Sequence, residues 1–473
     1  MDAEEFRKHG HTFIDWMTDY MKSIEDFPVR SQVKAGQISS LIPETPPEEG
    51  EPMDEIFADF KETVLPGITH WQHPSFFAYF PANTSPPSIL AEMLMATLGA
   101  QCMLWQTSPA ATELETRMTA WLGHMVGLPA DFHGVIQDSA SSATLCALLT
   151  AREKASGWGT NRRGLISSES NMVVYTSIEA HSSTEKGAKI AGFGSKNVRL
   201  IETDSNFSMC VKSLIDAVEI DIDQGKTPTC VVASVGTTGV GAVDPIREIA
   251  GVCNKYDIFL HVDAAWAGSA MILPEEREIM DGIELVDSIV FNPHKWLLTN
   301  FDCSAHFVKE PESLIRTLSI MPEYLKSRQQ GQVIDYRDWS IPLGRRFRAL
   351  KLWFVIRYYG LEGLKKIIRR HLELASMVEV WINAARDFEI MAPRSLSLIN
   401  FRYKPKKIND AVILDRLNEQ LLNDLNDRGS VYFTQNRVRG IYSIRWSIGQ
   451  TNTDLKHVKK AWLEVKEVAG KLC

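Results

Sequence analysis

Between residues 171 and 293 the chain alternates short apolar runs with amphipathic ones: "NMVVYTS", "HSSTEKGAKIAGF", "NVRLIET", "VKSLIDAVEIDIDQG", "TCVVASVGTT", "DPIREIAGVCNKYD", "IFLHVDAA" and "VDSIVFNP". No other feature restricts the fold as much, because strand, helix and strand in succession force a parallel sheet whose faces the helices cover. We therefore expect an α/β domain with a mostly parallel central sheet and helices on both faces. Ligands of such sheets sit beyond the carboxyl ends of the strands, which directs attention to the residues following each apolar run.

On either side the pattern changes. From Glu4 to Ile24 apolar residues recur at helical spacing (Phe6, Phe13, Ile14, Met17, Tyr20, Met21), until Pro28 and "LIPETPPEEGEP" end the helix. A helix on a proline-rich tether must bury its apolar stripe somewhere, and a partner subunit is the expected place. Downstream of the long helical stretch "PLGRRFRALKLWFVIRYYGLEGLKKIIRRHLELA", the segments "LSLINFRY" and "IYSIRWSI" alternate as antiparallel strands do. The expected division is an N-terminal helical arm (1–85), a large domain (86–350) and a small C-terminal α+β domain (351–473). A chain of 473 residues that is 44% hydrophobic can supply cores for all of this.

Composition also narrows the partners. A formal net charge of -8 argues against nucleic acid and anionic membrane, which both attract excess positive charge. The charged start "MDAEEFRKHG" is unlike a signal peptide, and no apolar window approaches the roughly 18 to 20 residues of a membrane span. Seven cysteines form no CxxC pair and no spacing with histidine that suits a metal, so the expectation is a reducing, cytoplasmic setting without a metal site.

Three groups fall at expected strand ends. Asp263 closes "IFLHVD", Lys295 follows "SIVFNPH", and "QDSASSAT" begins a helix with small hydroxyl residues. Together they suit pyridoxal phosphate. A lysine must be deprotonated to form a Schiff base, and an apolar setting such as Phe291 and Trp296 provide favours the neutral amine. A carboxylate such as that of Asp263 can keep a pyridine nitrogen protonated. A phosphate is suited by N–H groups at a helix N-terminus with hydroxyls beside them, here Ala140 and Ser141 with Ser139 nearby. Taken singly, each has a plainer reading: Asp263 as a helix cap or ion-pair partner, Lys295 as a snorkelling side chain, "DSASSAT" as an N-cap with a small-residue face.

The segments "HWQHPSFFAYFPAN", "SPAATELE", "EAHSS", "HVDAAWAGSA", "NPHKWLLTNFDCSA", "PEYLK" and "IPLGRRFRALKLW" resemble, in order and nearly end to end, the group II pyridoxal-phosphate decarboxylases, and within them the aromatic-L-amino-acid decarboxylases. The resemblance implies a fold-type I, aminotransferase-like large domain and a homodimer whose N-terminal arm clasps its neighbour, with the active site at the subunit interface. It implies that Lys295 carries the cofactor, Asp263 faces the pyridine nitrogen, Ala265 lies against the ring, and His181 stacks on its other face. Thr238 would hydrogen-bond near the cofactor, and Ala140, Ser141, Asn292 and His294 would contact the phosphate side. In "MPEYLKSRQQGQVIDYRDW", which resembles the family's catalytic loop, Tyr324 would return a proton to the substrate Cα; a phenylalanine there goes with aldehyde synthases. The polar centre of that loop suggests a lid, and Tyr336 competes for Tyr324's role but reads as packing.

The same resemblance implies an aromatic side-chain pocket built by Trp71, Tyr79, Phe80, Pro81 and Phe301, with Gln101 and Met103 from a neighbouring subunit. Gly344 falls where the family has glycine or serine. Two positions depart from the animal members, Ala82 replacing a threonine and Gln101 an aliphatic residue. A hydrogen bond lost at position 82 is worth about 0.5 to 1.5 kcal/mol, enough to weaken selectivity for dopa without excluding it. Dopa, 5-hydroxytryptophan, tryptophan, tyrosine and phenylalanine are all expected substrates, to be converted to the amine and carbon dioxide. The expected rivals are an aromatic aldehyde synthase, a decarboxylase for an acidic substrate (for which residues 71 to 83 offer no cation), and a silent binding protein of the same fold.

Overall fold

The computed structural model describes residues 1–165, 171–320 and 332–472. Two units divide it, one of Ala82–Ala375 with Ala392–Ile399, the other of Met1–Pro81, Ser376–Met391 and Asn400–Cys473.

In the larger unit seven strands form one sheet: β1 (His133–Gln137), β2 (Met172–Ser177), β3 (Val198–Ile201), β4 (Thr227–Ser234), β5 (Phe259–Asp263), β6 (Ser288–Phe291) and β7 (Ser304–Val308). Their order is β1-β7-β6-β5-β4-β2-β3. Strands β2 to β6 pair in parallel, whereas β7 runs antiparallel to both β6 and β1, so β1 points the same way as β6. Every residue of β2 and β6 is buried, the pattern of strands covered on both faces. Leu148 and Ala151 of the helix Ala140–Ala155 close over Val174 and Val232, the leucine and the valines each contributing about 1.5 to 3 kcal/mol of burial. The carboxyl ends of β1, β2, β4, β5 and β6 consequently open on one edge.

The long helix begins later than the sequence pattern suggests, at Arg348, and leaves helical geometry at Gly360 (φ 63°) before ending at Ala384. Residues 341 to 347 stay outside it because Arg345 is pinned elsewhere. Its buried guanidinium pairs with Glu115 and donates to the Ile136 carbonyl at 3.2 Å, and its own carbonyl accepts from Cys102 N–H at 3.0 Å.

The smaller unit opens with the helix Ala3–Lys22, started by a capping box in which Asp2 accepts from the Glu4 and Glu5 N–H groups and Glu5 reaches back. The sheet β10-β11-β9-β8 follows from β8 (Phe388–Ser395), β9 (Leu398–Tyr403), β10 (Thr434–Val438) and β11 (Ile441–Ser447). Val438 faces Ile441 across a two-residue turn of Arg439 and Gly440, both left-handed, the geometry that matches strand twist. Phe77, Phe433, Trp446 and Phe401 pack as an aromatic core. Among the described residues, no helix is long and apolar enough to cross a membrane.

Candidate active site

Lys295 sits on a short helical turn, Pro293–Trp296, four residues past the end of β6. Several hydrogen bonds fix this turn. Asn292 N–H donates to the Ala265 carbonyl at 2.9 Å, Lys295 N–H to the Asn292 carbonyl at 2.9 Å, and His294 N–H to the Cys303 carbonyl at 3.2 Å. Ser304 Oγ donates to Asn292 Oδ1 at 2.5 Å, and Cys303 N–H to His294 Nδ1 at 3.0 Å. Since Nδ1 accepts, His294 carries its proton on Nε2, and burial, reinforced by the Lys295 charge, lowers its pKa to about 3. Below the turn the Trp296 indole stacks on Trp266 (5.2 Å, 19°) and donates to His371 Nδ1 at 2.9 Å. Phe291 and Trp296 are enclosed, as their apolar character suggests, while Lys295 itself is only half-buried. A side chain that meets a ligand keeps one side open, which a run of apolar neighbours cannot reveal.

Asp263 ends β5, opposite Ser234 of β4 and Val290 of β6. Its carbonyl receives Val235 N–H at 2.9 Å and its Oδ1 receives Ala265 N–H at 3.0 Å, which folds the next residues back over the strand end. Ala265 then packs with Ala140, Ala143 and Val290, so the start of the helix Ala140–Ala155 lies against the segment that follows β5. Ser139 caps that helix by accepting Ser142 N–H at 3.2 Å. Ala140 and Ser141 occupy the first turn, where N–H groups have no partner within the helix, and Ser141 is exposed.

His181 follows β2 and is tied down by Ser183, whose N–H donates to Nδ1 at 3.1 Å with Oγ at 2.7 Å. Nδ1 is thus the acceptor and Nε2 bears the proton. The imidazole pKa is lowered, chiefly by burial, with the Asp263 charge opposing the shift and the Lys295 charge adding to it. Thr238, exposed, lies on the loop after β4, which Thr237 closes by accepting Ala242 N–H at 2.9 Å. Gly236 in that loop has φ 84°, and a Cβ there would stand 2.7 Å from the Ala267 Cβ, so only glycine fits. Beneath it, buried Asp244 accepts from Ser234 N–H and Met209 N–H, both at 2.7 Å.

Amine, carboxylate, imidazole and helix N-terminus are the donor set that pyridoxal phosphate requires for its aldehyde, pyridine nitrogen, ring face and phosphate, and the small Ala265 leaves room for a flat ring. The residues fit the group. Tyr324 lies outside the described residues. Tyr336, read as packing, is buried with its hydroxyl 3.0 Å from Thr116 Oγ1.

The residues expected around the substrate form two sets. In the smaller unit Trp71 and Tyr79 stack (5.6 Å, 15°) and remain exposed, while Phe80 and Pro81 are buried. In the larger unit Gln101 Oε1 accepts Arg345 N–H at 2.6 Å, and its Nε2 stands 3.2 Å from where a Cβ on Gly344 would lie. Half-buried Met103 accepts Arg337 N–H on its carbonyl at 3.1 Å, and exposed Phe301 lies 4.5 Å from the His294 ring. Sequence reasoning missed the Trp266–Trp296–His371 stack, Ser304 on Asn292, and Asp244. Trp266 and Trp296 adjoin the motif residues and could have been suspected, but nothing local pointed to His371 or Asp244.

A family profile described as the pyridoxal-dependent decarboxylase conserved domain matches residues 35–404. The chain is 43% identical to tyrosine decarboxylase 4 of Petroselinum crispum, covering 100% of this chain and 94% of that one. It is 44% identical to phenylacetaldehyde synthase of Arabidopsis thaliana, covering 100% and 97%. A solved structure of Oryza sativa TDC with PLP and tryptamine superposes with a TM-score of 0.97 at 35% identity, covering 100% of this chain and 99% of that one.

Proposed function

The chain belongs to the pyridoxal-dependent decarboxylase family, and we propose that it converts aromatic L-amino acids into arylalkylamines and carbon dioxide. The observation that carries this reading is that Lys295, Asp263 and His181 all lie at or just past the carboxyl ends of parallel strands of one sheet, β6, β5 and β2. Relatives named for tyrosine and tryptophan support the aromatic class.

Bound there, pyridoxal phosphate supplies a carbonyl that condenses with amines and a protonated ring that accepts the electron pair left when carbon dioxide departs from Cα. Lys295 would offer the amine that holds the cofactor. Asp263 would keep a proton on the pyridine nitrogen. His181, whose Nδ1 is taken by Ser183, would offer Nε2–H toward the ring. Ala140, Ser141, Asn292 and His294 would hold the phosphate side, Thr238 would hydrogen-bond nearby, and Ala265 would support the ring. Tyr324 would deliver a proton to Cα, which makes the product an amine rather than an aldehyde.

Trp71, Tyr79, Phe80, Pro81 and Phe301, with Gln101, Met103 and Gly344, contact the substrate's side chain. Because Gln101 and Gly344 are held together, one subunit contributes both. A homodimer with the site at its interface is supported by exposed apolar residues on two helices: Phe6, Ile14 and Met21 on the first, and Leu90, Met93, Leu94 and Leu98 on Pro86–Leu98. The arm at 1–85, the domains at 86–350 and 351–473, and cytoplasmic residence belong to the same reading.

The test is a substrate panel with purified holoenzyme: phenylalanine, tyrosine, dopa, tryptophan and 5-hydroxytryptophan, with carbon dioxide, amine, ammonia and hydrogen peroxide all measured. Amine in step with carbon dioxide is expected. Aldehyde, ammonia and peroxide would instead identify an aldehyde synthase.

A further inference from the structure

The smaller unit holds Tyr79 in a backbone conformation that its side chain disfavours. Its φ is 49°, in the left-handed region where a Cβ crowds the carbonyl oxygen. Such a conformation persists only where its surroundings over-determine it. Just upstream the chain is tied to the segment before β10 and to the end of β11: Phe77 N–H donates to the Tyr432 carbonyl at 2.9 Å, and the Phe77 carbonyl accepts Ser447 N–H at 3.0 Å. At the reversal itself, Tyr79 N–H donates to Thr434 Oγ1 at 3.4 Å and the Tyr79 carbonyl accepts from the guanidinium of Arg445.

The same guanidinium lies 4.4 Å from the centroid of the Phe80 ring. Arg445 projects from β11 and is only 3% exposed; burial lowers its pKa to about 9, which leaves it charged at neutral pH. A guanidinium can donate in its plane and lie flat on an aromatic ring at once, which an ammonium cannot. One side chain therefore holds the turn at Tyr79 and the ring of Phe80. Phe80 is enclosed, whereas the residues of the stacked pair, Trp71 and Tyr79, are 38% and 49% exposed, so the turn decides which aromatic residues face a ligand.

We infer that Arg445 is a positioning residue for aromatic-substrate recognition, fixing the Tyr79 reversal that presents the Trp71–Tyr79 pair to the substrate's ring. This rests on the reading of residues 71 to 81 as part of the substrate pocket. The reaction itself does not pass through Arg445.

The experiment compares wild-type holoenzyme with Arg445→Lys, Thr434→Val, Tyr79→Gly and Arg445→Lys/Tyr79→Gly. Steady-state kinetics are measured on phenylalanine, tyrosine and tryptophan, and calorimetry reads the affinity for tryptamine. Arg445→Lys is expected to raise KM for tryptophan about five- to tenfold and weaken tryptamine about as much, with kcat within about twofold and an altered tryptophan-to-phenylalanine KM ratio. Thr434→Val should move the same quantities about twofold. With glycine at 79 the left-handed backbone is unstrained, so Arg445→Lys should then cost less than in the parent.

Unchanged KM ratios in Arg445→Lys, or in Thr434→Val should the lysine variant fail to fold, would overturn the inference. So would a lowered Tm with no change in tryptamine affinity. Failure of the wild type on every aromatic amino acid would instead sink the underlying reading of the site, and this inference with it.

Discussion

The turn that carries Lys295 and the stretch Trp71–Pro81 are both short irregular segments at the end of a sheet, yet they are held in different ways. Backbone hydrogen bonds tie the first to Ala265 after β5 and to Cys303 just before β7, with a buried indole pair beneath it. The second is tied by three backbone bonds to Tyr432 and Ser447, and at its Tyr79 reversal it depends on the side chains of Thr434 and Arg445, with its foremost aromatic rings exposed. Chemistry common to a family gains from redundant backbone support, because no single substitution removes it. Recognition built on a few side-chain contacts can drift while the reacting groups stay in place.

That contrast can be tested in order of expected effect. Lys295→Ala should reduce kcat by about 10⁴-fold or more and abolish the absorbance band near roughly 420 nm that borohydride removes, because no other residue of the turn offers an amine; substantial activity with the band intact would show that the turn is not the reaction centre. Tyr324→Phe should divert product, lowering amine formation by about 10²-fold as aldehyde and peroxide appear. Continued amine output would relieve Tyr324 of its role.

Trp296→Phe probes the redundancy. It keeps an aromatic ring against Trp266 but leaves His371 Nδ1 without its donor, at about 1 to 3 kcal/mol of stability. Tm should fall while the absorbance band persists and kcat drops by less than about tenfold. A collapse of kcat as deep as in Lys295→Ala would mean that the turn depends on a single brace after all.

The smallest effect concerns pH. Burial lowers the pKa values of His294 and His306 to about 3, well below the ordinary histidine value. Because folding depresses these pKa values, the stability they confer is full above about pH 6.5 and is lost as pH falls toward 3. Neither ring nitrogen of His306 has a hydrogen-bond partner among the described residues. His306→Phe should therefore raise stability by about 1 kcal/mol at pH 7 and flatten the acid-side slope in a melting series. An unchanged slope would assign the acid sensitivity to other groups.

Much of this arrangement was legible before any coordinates. The alternation from 171 to 293 announced the parallel sheet, and Asp263 does end β5 while Lys295 does follow β6. The antiparallel strand β7 was not anticipated, because "SAHFV" is short and follows the lysine motif with no helix between. Half-burial of Lys295 was missed for a different reason: apolar neighbours along the chain say nothing about which neighbours in space are absent. His371 lies 75 residues from Trp296, and Asp244 lies 35 from Met209, so no local pattern could pair them.

By itself, then, the sequence determined the elements and their order, since hydrophobic periodicity and turn residues act over a few positions and leave a local imprint. Only the tertiary structure decided which side chains support one another: the left-handed backbone at Tyr79, the guanidinium beneath Phe80 and the indole pair below Lys295. Those depend on close packing between segments distant along the chain, and packing is a property of three-dimensional neighbours that residue order does not record.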